Sequence, residues 1–176
     1  GAFTNLTRDH LDYHGTVENY FAAKALLFSE VLPPGATAVL NRDDAHFEAL
    51  KNICTARGIG ITSFGYHADA DYRIAQVTPH AGGLDAQVVV HGTSHALKLP
   101  LYGAFQLMNM LAAVALLAAT GMCNDALLGL VAFLPQLRGV PGRLEKIADV
   151  GGAPVFIDYA HTPAALMNIL KRCART

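Results

Sequence analysis

A strand–helix–strand pattern over residues 36–64 constrains the fold of this chain more than any other feature. Residues 36–40 form a short apolar run, residues 46–56 carry a helical pattern, and residues 59–64 form a second apolar run after Gly58. Two strands that are joined through a helix by short connections lie parallel in one sheet. The pattern therefore predicts a βαβ unit within an α/β fold.

Three further strands are predicted directly after this unit, at residues 72–77, 84–90 and 95–99. Glycine-containing turns separate them, which favours hairpins between neighbours in the chain. Apolar and polar side chains alternate over residues 84–90, as they do in a strand with one buried face. We expect a small antiparallel sheet beside the parallel one.

A loop at residues 135–142, with two prolines and two glycines, marks a predicted domain boundary. We divide the chain there into residues 1–138 and 139–176. In the first part, helical patterns occupy three further stretches: residues 17–30, 103–120 and 125–133. In the second part, a buried strand at residues 155–157 leads to a helix with Pro163 in its first turn. One strand and one helix cannot bury both their faces, so we expect the start of an unfinished domain.

Composition and charge exclude several classes of protein. With 52% hydrophobic residues, the chain can bury a sizeable core. A formal net charge of −1 argues against a broad surface for nucleic acid or anionic membrane. The longest uncharged run, residues 99–124, predicts a buried helix, because its apolar helical part is shorter than the ~20 residues that a membrane span needs. We expect neither nucleic acid nor membrane as a partner.

Cysteine usage and the first residues indicate the compartment. Cys54, Cys123 and Cys173 are odd in number and form no C-x-x-C pair. A disulfide framework is therefore not expected, and a reducing compartment fits. The first residues also lack the basic-then-apolar order of a signal peptide. We expect a cytoplasmic protein.

The stretch NLTRDHLDYHG and the helix after it carry candidate metal-binding or reactive side chains. His10 and His14 are spaced like two ligands on one helix face, but the loop-like composition favours hydrogen bonds to local backbone instead. Lys24 lies within an apolar helix, with Tyr20 on the same face four residues earlier. Residue chemistry alone favours a lysine that extends its ammonium to solvent, whereas a buried one must be neutralised, paired or modified.

Further candidates lie where α/β folds bind ligands. Asp158 ends a buried strand, and the carboxyl ends of strands in open α/β sheets are common ligand sites. The other polar candidates have an apolar or hinge-like setting: Gln106, Asn109, Arg143, Tyr159 and His161. For each of them a plain packing or surface role stays open. The sequence contains no G-x-x-x-x-G-K-[ST] motif, and so no P-loop for the phosphates of ATP.

Taken in order, five stretches of the sequence resemble the Mur ligase family of ATP-dependent ligases: FTNLTRDHLDYHGTVENYFAAKALLF, AVLNRDD, LYGAFQLMNMLAAVALL, GVPGRLEKI and VFIDYAHTPAAL. The resemblance covers essentially the whole chain. It implies the later part of a P-loop-type central ligase domain, with a parallel sheet, helices and a small antiparallel sheet. It also implies that the chain continues into the first strand and helix of a Rossmann-like domain.

The resemblance is strongest to the family members that add the third amino acid of the peptidoglycan precursor. It implies ATP and Mg²⁺ as cofactors, with a UDP-N-acetylmuramoyl dipeptide and an amino acid, meso-diaminopimelate, as substrates. It also implies a full-length enzyme that is monomeric, and a 176-residue chain that is inactive alone because it lacks the P-loop. Two alternatives stay open: a lysine-adding or folylpolyglutamate-type ligase, and a non-catalytic module that binds a transition metal through His10 and His14.

The resemblance also implies roles for matching residues. His10 and a carbamylated Lys24 would bind Mg²⁺, with Tyr20 beside that lysine as a further cofactor-binding residue. A carbamate is a hard oxygen ligand of the kind that Mg²⁺ prefers. His14 is then left with a structural role at the turn into the helix. The remaining matches concern the nucleotide and the cleft between domains: Asn109 and Gln106 near the adenine, Arg143 at the phosphates, Asp158 at the ribose, and Tyr159 and His161 along the cleft.

Overall fold

A mixed six-stranded sheet forms the centre of the structure, a computed structural model that describes residues 1–7 and 11–173. Strands β1 to β4 pair in parallel, and β4 to β6 pair antiparallel. The strands lie in chain order: β1 (Ala2–Phe3), β2 (Thr37–Asn41), β3 (Gly60–Gly65), β4 (Tyr72–His80), β5 (Gly83–Val90) and β6 (Thr93–Leu99). The predicted βαβ unit and the three antiparallel strands are confirmed, and they share one sheet because β4 pairs with both parts.

Within residues 1–7 and 11–173, six α-helices accompany the sheets: α1 (Leu11–His14), α2 (Val17–Leu26), α3 (Phe47–Ala56), α4 (Ala104–Ala118), α5 (Asn124–Phe133) and α6 (Pro163–Cys173). The hydroxyl of Thr16 caps α2 by accepting a hydrogen bond from the Asn19 backbone N–H at 3.1 Å. A π-helical turn, Leu27–Val31, then continues α2 to the predicted end of the helix. No helix in the described part of the chain is long and apolar enough to cross a membrane.

The helices cover both faces of the sheet. Along β2, Val39 contributes to an apolar cluster with α4 and α5, whereas Ala38 and Leu40 contribute to a second cluster with α2 and α3. A strand that is buried on both faces reads as a continuous apolar run, which explains the pattern seen in the sequence. Cys54 of α3 lies in the second cluster, where burial raises the pKa of its thiol.

The residues after the proline- and glycine-rich loop form a second, separate sheet. Strands β7 (Glu145–Val150) and β8 (Ala153–Ile157) pair antiparallel, and α6 follows them. This unit therefore contains one strand more than the sequence predicts. Tyr102, just before α4, contacts Phe156 of β8 edge to face, with 4.9 Å between ring centroids. That contact joins the second unit to the first beside the start of α4.

Candidate functional site

Helix α2 presents Lys24 beside a short stack of aromatic rings. The ring of His14 stacks on that of Tyr20 at 4.7 Å, with 23° between the ring planes. The Nζ of Lys24 lies 4.8 Å from the centroid of the same Tyr20 ring. The lysine is half-buried, so its ammonium rests on an aromatic face instead of extending freely into solvent. The four-residue spacing of Tyr20 and Lys24 produces this contact, and the ring of His14 packs on the Tyr20 ring.

The predicted magnesium site depends on the chemistry of Lys24. His10, the other predicted ligand, lies outside the described residues. An ammonium has no lone pair for a cation, whereas a carbamate on Nζ would offer two anionic oxygens. Among residues 1–7 and 11–173, no group of three or more His, Cys, Asp or Glu side chains is arranged to hold a metal ion. Lys24 could therefore serve as a Mg²⁺ ligand only after carbamylation.

The residues after β2 fasten the start of the chain to the sheet. Asn41 is 8% exposed; its Nδ2 donates to the carbonyl of Thr4 at 2.6 Å, and its Oδ1 accepts from the N–H of Asp43 at 2.9 Å. The carboxylate of Asp44 accepts from the N–H of Leu6 at 3.2 Å. These bonds position the start of the stretch NLTRDHLDYHG. Sequence reasoning missed this role, although Asn and Asp directly after a strand are a signal for such backbone contacts.

Replacing Asn41 with alanine tests this fastening. The change leaves the Thr4 carbonyl and the Asp43 N–H without their partner, and we expect the free energy of unfolding to fall by about 2 kcal/mol. Urea denaturation measures it, with Asn52→Ala as the matched control because Asn52 is exposed on α3. A change in Asn41→Ala as small as that of the control, within about 0.5 kcal/mol of the original chain, would contradict the assignment.

Three of the predicted site residues meet beside the link between the two units. We call the residues of this link, Arg143 and Leu144, the hinge. The guanidinium carbon of Arg143 lies 5.1 Å from the centroid of the Tyr159 ring. The ring of His161 contacts Tyr159 edge to face, also with 5.1 Å between centroids. Tyr159 is exposed, so this cluster faces open space. The β7–β8 hairpin lies between Arg143 and the two aromatic residues in the sequence, and the structure brings the three side chains together.

Asp158 lies directly after β8 and holds two backbone N–H groups. Its Oδ2 accepts from the N–H of Leu144 at 2.7 Å, and its Oδ1 accepts from the N–H of Ala160 at 2.6 Å. A carboxylate has about four acceptor positions, so each oxygen can still accept a hydroxyl from a ligand. The contact with Leu144 ties the end of β8 to the hinge.

The two amides of α4 point to different surroundings. Gln106 is 8% exposed, and its Nε2 donates to the carbonyl of Arg143 at 2.7 Å. Asn109, one turn later, is exposed. The structure therefore does not bring the two predicted adenine contacts together: Gln106 engages the hinge, and Asn109 alone is open to a ligand. Lys24, on α2, is not among the residues that these hinge contacts assemble.

The sequence is similar to those of one protein family and of several named ligases. The family described as Mur ligase middle domain matches residues 1–117. A UDP-N-acetylmuramoyl-L-alanyl-D-glutamate--2,6-diaminopimelate ligase of Bradyrhizobium diazoefficiens is 41% identical over 175 residues, which cover 97% of this chain and 35% of the relative. The ligase of the same name from Caulobacter vibrioides is 42% identical over 170 residues, covering 96% and 34%. The chain thus spans about a third of the length of the curated relatives it matches.

Solved structures agree with this assignment. A structure of a ligase with the same name matches with a TM-score of 0.78 and 37% identity, over 99% of this chain and 35% of the other. Folylpolyglutamate synthase of Mycobacterium tuberculosis, complexed with ADP and AMPPCP, matches with a TM-score of 0.76 and 25% identity, over 98% and 38%. On the family match and the two relatives at about 40% identity, the chain belongs to the Mur ligase family.

Proposed function

We propose that this chain is the central part of an ATP-dependent ligase that adds meso-diaminopimelate to UDP-N-acetylmuramoyl-L-alanyl-D-glutamate. The observation that carries the proposal is the 41% identity to a ligase of that name, which extends through both units of the chain. We also propose a cytoplasmic enzyme, because its nucleotide substrates are polar and soluble. That the full-length enzyme is monomeric is proposed from the family resemblance alone.

The proposed reaction forms an amide in two displacements. A carboxylate oxygen of the UDP-linked dipeptide attacks the γ-phosphorus of ATP, the bond to the β-phosphate oxygen breaks, and ADP leaves. The amine of diaminopimelate then attacks the acyl carbon and loses a proton. The carbon–oxygen bond to the phosphoryl group breaks, and inorganic phosphate leaves. Negative charge builds up on phosphoryl and acyl oxygens in the transition states. Cations that are fixed beside these oxygens stabilise that charge and so speed the reaction.

The hinge residues supply several of the groups that this reaction needs. The guanidinium of Arg143 has planar, paired N–H donors that match phosphate oxygens. The free acceptor positions of Asp158 suit the ribose hydroxyls, and the exposed amide of Asn109 can both donate to and accept from adenine. Tyr159 and His161, which contact each other beside Arg143, form a wall for the cleft.

Lys24 supplies the remaining function at α2. After carbamylation it would hold Mg²⁺ together with His10, and the bound ion would neutralise charge on the phosphoryl oxygens. Tyr20 positions Nζ by the contact of its ring. Because Lys24 is only half-buried, dissolved carbon dioxide can reach the amine.

The test is a ligation assay with a full-length ligase that contains this segment. ATP, Mg²⁺ and the UDP-linked dipeptide are supplied with either diaminopimelate or lysine, and the product is identified by mass. We expect diaminopimelate to be preferred by about 100-fold or more in kcat/KM. A preference for lysine would support the lysine-adding alternative. Stoichiometric zinc binding without any ligation would support the metal-binding module.

The 176-residue chain assayed alone is expected to form no product, because its sequence has no P-loop to hold the β- and γ-phosphates. Phosphate release and product mass are measured over hours at high protein concentration, with the full-length ligase as the positive control. Turnover by the short chain that depends on the dipeptide would contradict this expectation.

A further inference from the structure

A single peptide group in the hinge is held from both units of the structure. Its carbonyl belongs to Arg143 and accepts from Nε2 of Gln106, which lies on α4 of the first unit. Its N–H belongs to Leu144 and donates to Oδ2 of Asp158, which follows β8 of the second unit. Both bonds measure 2.7 Å. The orientation of this peptide plane is therefore fixed by one side chain from each side of the hinge.

The backbone at this point needs such support. Leu144 has a φ of +49°, a left-handed conformation that is unfavourable for a residue with a branched side chain. Its side chain is 5% exposed and packs against the start of α4, where a Cβ on Gly103 would come within 3.0 Å of Leu144 Cδ2. The left-handed turn persists because packing and the two hydrogen bonds hold it.

The same peptide group sets the direction in which the neighbouring arginine leaves the hinge. Arg143 carries the carbonyl, and its guanidinium lies over Tyr159, the residue directly after Asp158. Loss of these two bonds would free the backbone directly after the Arg143 Cα, which carries the side chain that lies over Tyr159. The hydrogen bonds and the cation–π contact thus stabilise one and the same conformation.

We propose that Gln106 is a positioning residue, which acts with Asp158 to lock the Arg143–Leu144 peptide group and so aims the Arg143 guanidinium into the cleft. The proposal rests on the proposed phosphate role of Arg143. It differs from an adenine contact for Gln106, because the amide is buried and its N–H is directed at the hinge backbone.

Two substitutions of Gln106 remove the donor while keeping the size of the side chain. Gln106→Glu places a carboxylate oxygen against the Arg143 carbonyl, and Gln106→Met leaves that carbonyl unpaired. In a full-length ligase that contains this segment, we expect both to lower kcat by about 10- to 100-fold, since small misplacements of a catalytic group cost this much. The KM for the amino acid should change less than about twofold, because the proposed role of Gln106 is to hold the hinge backbone and not to bind the amine. Gln87→Met is the matched control, since Gln87 is exposed on β5.

A comparison in the Arg143→Ala background shows whether Gln106 acts through the arginine. There, we expect Gln106→Met to lower kcat by less than about twofold further, because the group that it positions is gone. Hydrogen exchange of the Leu144 amide, followed by mass spectrometry without nucleotide, should quicken in Gln106→Met while core amides of β5 stay protected. Faster exchange throughout the chain would instead show general loss of structure and would overturn the proposal.

The outcomes separate this inference from the function on which it rests. If Arg143→Ala is defective but Gln106→Met is as active as the control, or lowers kcat equally with and without the arginine, the positioning role is wrong and the proposed function stands. If Arg143→Ala keeps full activity, the phosphate role of Arg143 is wrong, and the positioning role of Gln106 fails with it.

Discussion

Lys24→Arg is expected to lower kcat by about 1000-fold in a full-length ligase that carries this segment, close to the loss caused by Lys24→Met. Arginine keeps the positive charge and can still lie over the Tyr20 ring. Its guanidinium stays protonated and cannot form a carbamate, so the anionic oxygens required for Mg²⁺ are lost. The pair of variants thus separates a cation–π role of Lys24 from its role as a modified ligand.

The Lys24 variants are compared by steady-state ligation assays at saturating ATP and over a range of Mg²⁺ concentrations. Glu18→Gln serves as the control, because Glu18 is exposed in the first turn of the same helix. If the Lys24→Arg variant keeps activity within about threefold of the enzyme without substitutions, the carbamate is excluded and Lys24 is a cation that packs on Tyr20.

Arg143→Ala is expected to reduce kcat by about 1000-fold, the scale found when an arginine that neutralises a transferring phosphoryl group is removed. Arg143→Lys should recover only a small part of this loss, because an ammonium lacks the planar, paired donors of the guanidinium and its packing on Tyr159. The KM for the amino acid should change little, since the proposed role of Arg143 is to bind the phosphates and not the amine.

Rapid-quench measurement of ADP formation checks the Arg143 prediction at the chemical step. Arg138→Ala is the matched control, because Arg138 is exposed in the loop before the hinge. If the Arg143→Ala enzyme forms ADP as fast as the control, both in the first turnover and in the steady state, other groups neutralise the charge of the phosphates.

Local sequence patterns were sufficient for β2 to β6 of the main sheet, but not for the two-residue strand β1. The alternation over residues 84–90 predicts β5, and Thr16 before an apolar helical pattern predicts the start of α2. Strand β7 is missed because its residues, EKIADV, are charged and follow directly on the hinge. The segment becomes a strand by pairing with β8 across the two-residue turn of Gly151 and Gly152. A Gly-Gly turn is a hairpin signal that the sequence-based prediction did not use.

The candidate site could be predicted by residue type but not by arrangement. Arg143 was expected at the phosphates and Tyr159 and His161 along the cleft, and the structure places Tyr159 in contact with the other two. The contacts of Gln106 with Arg143 and of Asp158 with Leu144 depend on the packing of α4 against the hinge and on the left-handed turn at Leu144. Neither the helical spacing nor the strand pattern carries that information.

The spacing of two histidines is a weak guide to their roles. The separation of His10 and His14 suits two metal ligands on a helix, and the described part of that stretch does contain one helical turn, α1. His14, however, stacks on Tyr20 and its carbonyl accepts a hydrogen bond from the side chain of Asn19 at 3.1 Å. Aromatic packing across a turn competes for the same residue, and a spacing rule does not include it.

Transfer of an oxygen atom tests the central claim most directly, namely that ATP activates a carboxylate as an acyl phosphate. The UDP-linked dipeptide is prepared with ¹⁸O at both oxygens of the reacting carboxylate and is ligated to diaminopimelate by a full-length enzyme that contains this segment. The account predicts one ¹⁸O atom in each molecule of inorganic phosphate released, detected by mass spectrometry. Phosphate that contains no ¹⁸O, formed together with the ligated product, would contradict it.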